Sequence, residues 1–162
     1  NTNWTKLRVL ILSFNSISDA GAIALGANKS WVNLQRLELT NTGFAFKGAE
    51  GLAKNVSWKN LQKLVLSRNR LGDQGAKALG RNVSWINLKE LDLESTEIGD
   101  VGAIDLCDNV SWVNLGEIIM QGNKAAEEGL AALSNNEAWP KLKNIVTDRR
   151  RNDFLKQIAM KK

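Results

Sequence analysis

Six tryptophans recur at intervals of 27 residues, and this regularity constrains the fold more than any other feature of the sequence. They are Trp4, Trp31, Trp58, Trp85, Trp112 and Trp139. An apolar residue follows each tryptophan at three and at six residues, and five of the six units have another at eight residues. A fixed period of this length indicates stacked copies of one supersecondary unit, each of which buries its apolar side against its neighbours.

The third unit shows how the 27 residues are used. From Leu61 to Leu66 the apolar residues follow L-x-x-L-x-L, which predicts a short strand with one buried face. Asp73 is predicted to cap its own helix, which the spacing of small and apolar residues places from Gln74 to Arg81. We expect this helix to end at Asn82 in a left-handed conformation. Because a helix returns the chain in every unit, neighbouring strands must be parallel.

The strand pattern L-x-x-L-x-L-x-x-N, followed by a helix in each unit, resembles a leucine-rich repeat, and the repeat length resembles that of the ribonuclease-inhibitor-like class. Three helix openings carry the same resemblance: Asp19-Ala20-Gly21-Ala22, Asp73-Gln74-Gly75-Ala76 and Asp100-Val101-Gly102-Ala103. The similarity extends from residue 4 to about residue 147. It implies an α/β fold, a right-handed solenoid or horseshoe with a concave parallel β-sheet and convex α-helices. It also implies a function in binding proteins.

We expect one solenoid domain across residues 1–162, with repeats that start near residues 4, 31, 58, 85, 112 and 139. Residues 148–162 have apolar residues at helical spacing but lack the glycine of the earlier helices. This pattern predicts a C-terminal capping helix with a basic tail. The chain opens inside the repeat pattern and without methionine, which leads us to expect a piece of a longer array.

Three residue types recur at fixed positions and predict internal columns. The strand exits carry Asn15, Thr42, Asn69, Thr96, Asn123 and Arg150. Asparagine and threonine can satisfy loop backbone groups inside the stack, whereas Arg150 cannot accept and should end the ladder. Glycine costs a helix up to about 1 kcal/mol relative to alanine, so a glycine column in the helices predicts close approach to a strand or a neighbouring helix. That column is Gly21, Gly48, Gly75, Gly102 and Gly129, and the tryptophans are predicted to stack in the core.

The charge of the chain is concentrated at one end. Of the net charge of +5, residues 148–162 supply +4 and the preceding 147 residues only +1. A protein that binds nucleic acid needs a basic stripe along one face, so we expect no nucleic-acid partner. Apolar runs such as Val9 to Leu12 are too short to span a bilayer, and we expect no membrane partner.

The single cysteine, Cys107, excludes an intrachain disulfide. Asp105 and Asp108 flank it, so we expect a small structural residue and not a reactive thiol. A chain without disulfides fits a reducing compartment, either the cytoplasm or the cytosol of a host cell into which the protein is delivered. Four N-x-S sequons recur with the repeat and are attributed to structure more than to glycosylation: Asn28, Asn55, Asn82 and Asn109.

The composition argues against catalysis. The chain has no histidine and no tyrosine, which removes most general acids, bases and activated nucleophiles at neutral pH. The glycines do not form a phosphate-binding loop, and the clustered Cys and His residues that hold zinc are missing. We therefore predict a non-enzymatic protein without a cofactor or a metal site.

Strand residues five, seven and nine after each tryptophan should point away from the core and form columns on the concave face. The fourth unit has three carboxylates there, whereas the first unit is apolar, with Phe14 at its strand exit. We predict a docking surface for a protein partner, whose basic element faces the carboxylates. The candidate residues are Ile11, Phe14, Arg36, Glu38, Lys63, Val65, Arg68, Glu90, Asp92, Glu94, Glu117 and Ile119. Two alternatives stay open: a solvated surface without function, and, with less support, a calcium site at the three carboxylates.

The near-invariant spacer N-x-S-W-x-N-L resembles long, recently duplicated arrays of this repeat class in bacteria that live inside eukaryotic cells. That resemblance implies the recognition part of a longer, host-directed effector. Two alternatives are a ligand-sensing domain of an intracellular immune or regulatory protein, and a structural spacer with no partner on its concave face. We expect the domain to be monomeric.

Overall fold

The computed structural model describes residues 4–148, 151–153 and 155–156. The strands in this part of the chain are β1 (Val9–Ile11), β2 (Arg36–Glu38), β3 (Lys63–Val65), β4 (Glu90–Asp92), β5 (Glu117–Ile119) and β6 (Asn144–Val146). The helices between them are α1 (Ser18–Gly26), α2 (Phe46–Ala53), α3 (Gly72–Gly80), α4 (Asp100–Cys107) and α5 (Glu127–Ser134). Residues 151–153 and 155–156 are also helical, whereas Arg150 and the rest of the predicted cap and basic tail lie outside the described residues.

The six strands form one parallel sheet in chain order, from β1 to β6. The register advances by 27 residues at each step, so Leu10 pairs with Leu37, and Leu37 pairs with Leu64. Equivalent positions of successive repeats therefore stand side by side. Each helix packs against the next on the other side of the molecule. This arrangement confirms the predicted solenoid with a sheet on one side and helices on the other.

The core consists of repeated layers of leucine and tryptophan between the sheet and the helices. Trp85 stacks on Trp112, with ring centroids 6.5 Å apart and an angle of 9° between the ring planes. Trp112 and Trp139 stack at 5.7 Å and 28°. These contacts confirm the predicted tryptophan column for the last three repeats. Trp4 differs, because its side chain is 50% exposed.

The asparagine column at the strand exits forms the predicted ladder. The side-chain oxygen of Asn69 accepts a hydrogen bond from the backbone N–H of Thr42 at 3.0 Å, and its nitrogen donates to the carbonyl oxygen of Leu39 at 2.7 Å. The hydroxyl of Thr42 donates to that same carbonyl at 2.9 Å. Asn123 and Thr96 repeat the arrangement farther along. Threonine can therefore alternate with asparagine without leaving buried backbone groups unpaired.

The aspartates at the helix openings cap the helix of the following repeat, so the prediction that Asp73 caps its own helix is wrong. Oδ1 of Asp73 accepts hydrogen bonds from the backbone N–H groups of Gly99, at 2.7 Å, and Gly102, at 3.1 Å, at the start of α4. Asp19 and Asp100 cap α2 and α5 in the same way. Each carboxylate satisfies two amides that the helix itself leaves free. We call this contact the trans cap.

The trans cap also explains glycines in the helical column. A Cβ atom added at Gly102 would lie 2.6 Å from Oδ1 of Asp73, and one at Gly129 would lie 2.7 Å from Oδ1 of Asp100. Both distances are shorter than van der Waals contact, so a larger residue would displace the capping carboxylate. The predicted close approach is confirmed, and at these two positions the approaching residue is the capping aspartate of the preceding helix, through its carboxylate and its Cα atom.

Candidate functional site

The concave face carries two columns of side chains that the register sets next to each other. The first column is Val9, Arg36, Lys63, Glu90, Glu117 and Asn144, and the second is Ile11, Glu38, Val65, Asp92, Ile119 and Val146. Adjacent strands are about 4.8 Å apart, so neighbours within a column can contact each other. Nine of the twelve predicted site residues lie in these columns. The other three, Phe14, Arg68 and Glu94, follow at the strand exits.

The carboxylates of the fourth repeat do not form an isolated acidic patch. Lys63 of the preceding strand pairs with Glu90 at 2.5 Å, and Arg68 pairs with Glu94 at 3.5 Å. The third carboxylate, Asp92, accepts a hydrogen bond from the backbone N–H of Glu94 at 2.9 Å. Partly exposed ion pairs of this kind contribute little to stability. A basic group from a partner would therefore compete with Lys63 or Arg68 at two of the three positions.

Asp92 has the most unusual environment of the three. The register places it between Val65 and Ile119 of the neighbouring strands. Burial raises the pKa of the Asp92 carboxyl above its usual value, and the charges of Glu94 and Glu90 raise it further. The backbone N–H of Glu94 lowers this pKa, but not enough to offset the burial. A carboxylate held next to apolar neighbours gains more from a bound cation than a fully hydrated one does.

The remaining charged residues lie at either side of this centre. Arg36 donates through Nε to Oε1 of Glu38 at 2.7 Å, within its own strand. Oε2 of Glu117 accepts from the side-chain nitrogen of Asn144 at 3.1 Å. The predicted site has a net charge of −2, from the cations Arg36, Lys63 and Arg68 and the carboxylates Glu38, Glu90, Asp92, Glu94 and Glu117.

The apolar candidates differ greatly in exposure. Ile11 is 54% exposed and Phe14 is 69% exposed, so both are accessible to a partner. Val65 is only 6% exposed, which corrects its assignment as an accessible anchor. Its neighbours in the column, Glu38 and Asp92, are themselves half-buried. Ile119 is also half-buried, so the accessible apolar surface on this face lies in the first repeat.

The sequence did not lead us to expect positive φ angles at the strand exits. Phe14, Asn41, Arg68, Ser95 and Gly122 occupy the same position of successive repeats, and all have positive φ, between 51° and 70°. This left-handed conformation suits glycine or asparagine but costs an ordinary L-residue about 1–2 kcal/mol. A signal was present in the sequence, because glycine and asparagine share the column. Phe14 and Arg68 thus tolerate strain next to the candidate surface, as residues at binding sites often do.

A family model described as Leucine Rich repeat matches residues 5–26, 59–80 and 86–107. The chain contains leucine-rich repeats. No curated protein matches the sequence significantly. The matched segments run from next to the recurring tryptophan to the helix end in the first, third and fourth repeats. The second and fifth repeats share their strand, helix and register.

Leucine-rich repeats are generally non-enzymatic binding scaffolds, and their presence supports a protein–protein interaction module in general terms. In the part of the chain that the structure describes, no helix has the length and apolar character needed to cross a membrane. No group of three or more His, Cys, Asp and Glu side chains among the described residues could hold a metal ion. The predicted calcium alternative at Glu90, Asp92 and Glu94 therefore has no support in the geometry.

The leucine-rich repeats contain a second ladder, formed by the sequon asparagines. The side-chain nitrogen of Asn82 donates to the carbonyl oxygens of Ala53, at 2.6 Å, and Asn55, at 2.8 Å, and its oxygen accepts from the backbone N–H of Trp85. Asn55 and Asn109 make the same kinds of bonds and are equally buried. Asn82 does not have a positive φ, so the predicted left-handed exit is wrong. Because both N–H groups of each side chain are engaged, a glycan cannot be attached to these three residues in the folded repeats.

Cys107 packs within the same helical layer of the repeats. Its thiol donates to the carbonyl oxygen of Ala103, with Sγ 3.3 Å from that oxygen. Burial raises the pKa of the Cys107 thiol to about 11, and the charge of Asp108 acts in the same direction. The thiol is therefore protonated at neutral pH, which agrees with the structural role predicted for it.

Proposed function

We propose that the concave sheet of this leucine-rich-repeat protein binds another protein, with Ile11 and Phe14 as apolar anchors. The observation that carries this proposal is Phe14, because a large aromatic side chain is 69% exposed on a strained left-handed backbone. A strained residue persists where the surrounding structure or a function requires it. Aromatic residues, phenylalanine among them, are enriched in protein interfaces relative to the rest of the surface.

The partner carries a basic element that faces the fourth repeat. The net charge of −2 on the concave site and the poorly solvated Asp92 support this assignment. Because Glu90 and Glu94 are already paired within the protein, the basic element increases the specificity and the association rate of the complex more than its affinity. Val65 does not take part, because it is buried.

In the wider context, the domain is the monomeric recognition part of a longer bacterial effector that acts in the cytosol of a host cell. The near-invariant spacer between repeats supports this context, because it resembles recently duplicated bacterial arrays. A ligand-sensing domain of an intracellular immune or regulatory protein and a structural spacer are the alternatives. A secretion signal or a catalytic domain elsewhere in the full-length chain would distinguish the first context from the second.

Two sets of variants test the proposed surface. Phe14→Ser combined with Ile11→Ser removes the apolar anchors, and Asp92→Lys reverses the central charge. The domain is cross-linked to its partners in cell extract, and the cross-linked proteins are quantified by mass spectrometry. Proteins that cross-link to the wild-type domain should be lost from the sample of each variant. The matched control is Val110→Ser, which alters a residue that is 69% exposed outside the strands. If both concave variants retain the same set of cross-linked proteins as the control, the concave proposal is wrong.

A further inference from the structure

The second repeat breaks the acidic column that supplies the trans caps. Asp19, Asp73 and Asp100 occupy this helix position in the first, third and fourth repeats, and Glu127 occupies it in the fifth. The second repeat has Phe46 instead. Its aromatic ring is 39% exposed on the helical side of the molecule.

This substitution removes the trans cap from the following helix. Helices α2, α4 and α5 each begin after a residue whose backbone N–H donates to an aspartate of the preceding repeat. Helix α3, which follows Phe46, begins instead with Gly72 at a φ of 57° and has no side-chain cap. The start of α3 is paired in another way, because the N–H groups of Gly72 and Gly75 donate to the carbonyl oxygens of Thr96 and Leu71, both at 3.0 Å. The second repeat thus has no capping carboxylate at this position and exposes an aromatic ring there instead.

Phe46 lies between two grooves on the convex side. One groove, of about 440 Å³, runs between α2 and α3, and the other, of about 390 Å³, runs between α1 and α2. Phe46, Glu50 and Lys54 line both of them. The ring therefore forms a ridge shared by two neighbouring depressions, each large enough for one or two side chains of a bound peptide.

The walls of these grooves are strongly basic. Five cations line them, with Glu50 as the single carboxylate among the described lining residues, so the net charge is +4. Glu50 pairs with Lys54 at 3.3 Å, and Lys77 pairs with Asp105 of the next helix at 3.1 Å. Lys29, Lys47 and Arg81 form no ion pair within the part of the chain that the structure describes. Three cations around an exposed aromatic ring remain free for an anionic ligand.

We propose that this convex surface around α2 binds an acidic peptide segment of a second partner protein, with an apolar side chain of the peptide packed on Phe46. The carboxylates of the peptide pair with Lys29, Lys47 and Arg81 in the two grooves. The surface lies on the helices, opposite the concave sheet, so it is separate from the proposed site at Phe14. One protein could hold both partners at once.

The charge distribution favours a short acidic peptide over a nucleic acid. Helices α4 and α5 continue the same convex side but contain no lysine or arginine, and they carry Asp100, Asp105, Glu127 and Glu128. A phosphate backbone that followed the helices beyond α3 would meet this acidic surface and be repelled. A peptide confined to the first three repeats would not.

The decisive variant is Phe46→Asp, which removes the aromatic ring and places the aspartate of the neighbouring repeats at this position. The N–H groups of Gly72 and Gly75 at the start of α3 already donate to backbone carbonyl oxygens, so the new carboxylate supplies no missing cap. We expect this variant to melt within a few degrees of the wild type and to bind the acidic probe at least about tenfold more weakly. Unchanged stability with weaker binding excludes unfolding as the cause of the loss.

The probe is a fluorescein-labelled synthetic peptide in which glutamates flank one phenylalanine, and binding is followed by fluorescence anisotropy. A peptide with glutamine in place of glutamate should bind at least about tenfold more weakly, and added salt should weaken the binding of the acidic peptide. Arg81→Glu should also reduce affinity, while Val101→Asp, which adds one carboxylate on α4 as Phe46→Asp does on α2, should not. Phe14→Ser should leave peptide binding unchanged, so a failure of the concave proposal is distinguishable from a failure here.

Several outcomes would overturn the convex site. One is an affinity for the acidic peptide that Phe46→Asp and Arg81→Glu leave unchanged. Another is equal binding of the glutamine peptide. A third is a labelled single-stranded oligonucleotide that binds more tightly than the peptide and loses affinity in Phe46→Asp, since the surface would then be a nucleic-acid site. If Phe46→Asp does not fold, Phe46→Ser takes its place, because it removes the ring without adding a charge.

Discussion

The trans cap leads to a prediction about Asp73 that a cap within one helix would not make. In the structure its carboxylate serves α4, through Gly99 and Gly102, and not α3, in which Asp73 itself lies. Replacing Asp73 with alanine should therefore destabilise a helix whose own sequence is unchanged. The damage should appear about one repeat away from the substitution.

The magnitude follows from the two hydrogen bonds. Loss of a helix cap costs about 0.5–2 kcal/mol, and a charged acceptor at the positive end of the helix dipole favours the upper part of this range. We therefore expect Asp73→Ala to lower the free energy of unfolding by about 2 kcal/mol. For a chain of 162 residues this corresponds to a fall in Tm of about 4–8 °C. Asp73→Asn, which keeps an acceptor oxygen but loses the charge, should cost about half as much.

Hydrogen exchange of the native protein locates the effect. In Asp73→Ala the amides of Gly99 and Gly102 should lose protection, whereas the first turn of α3 should exchange as in the wild type. Glu137→Ala is the matched control, because it removes an exposed carboxylate for which the described residues supply no hydrogen bond or ion pair. If protection is lost in α3 and retained in α4, the carboxylate caps its own helix and the reasoning is refuted.

Three further predictions concern single side chains. Burial raises the pKa of Asp92, so the folded state holds this proton more tightly than the unfolded chain does. The ionised group therefore lowers the free energy of unfolding as the pH rises above the usual pKa of 3.8. In urea unfolding, Asp92→Asn should stabilise the protein at pH 7 but not at pH 3. The Cys107 thiol, with a pKa of about 11, should react with iodoacetamide at pH 8 much more slowly than in the urea-unfolded chain, and equal rates would contradict its burial. Phe14→Asn should raise the free energy of unfolding by up to about 1 kcal/mol because asparagine adopts positive φ more readily, and Phe14→Leu, which keeps the strain, should not.

The sequence was sufficient to predict the repeated architecture because its 27-residue period fixes the register. Leu10, Leu37 and Leu64 must align once the units stack, and the buried tryptophans follow from the same regularity. The ion pair between Lys63 and Glu90 could also have been predicted, since these residues are one period apart and therefore adjacent in the first column.

The same period hid the trans cap. A residue near the start of a helix is close in sequence to its own helix. In space it is also close to the start of the next helix, which lies one 27-residue period farther along the chain. Sequence spacing cannot distinguish these two partners, so the sequence predicts a cap on α3 whereas Asp73 caps α4. The burial of a side chain within a column is also difficult to predict from the sequence. Alternation places Val65 on the concave face, but its 6% exposure depends on the side chains that surround it.

The trans cap also gives the array a polarity. Each capped helix depends on the unit before it, while no helix needs the carboxylate that it donates to the unit after it. A duplication that adds a unit at the C-terminal side therefore adds a helix that the preceding unit can cap. Loss of a unit at the N-terminal side removes the carboxylate that caps the next helix. Gain and loss of repeats therefore have different effects on helix capping at the two ends of the array.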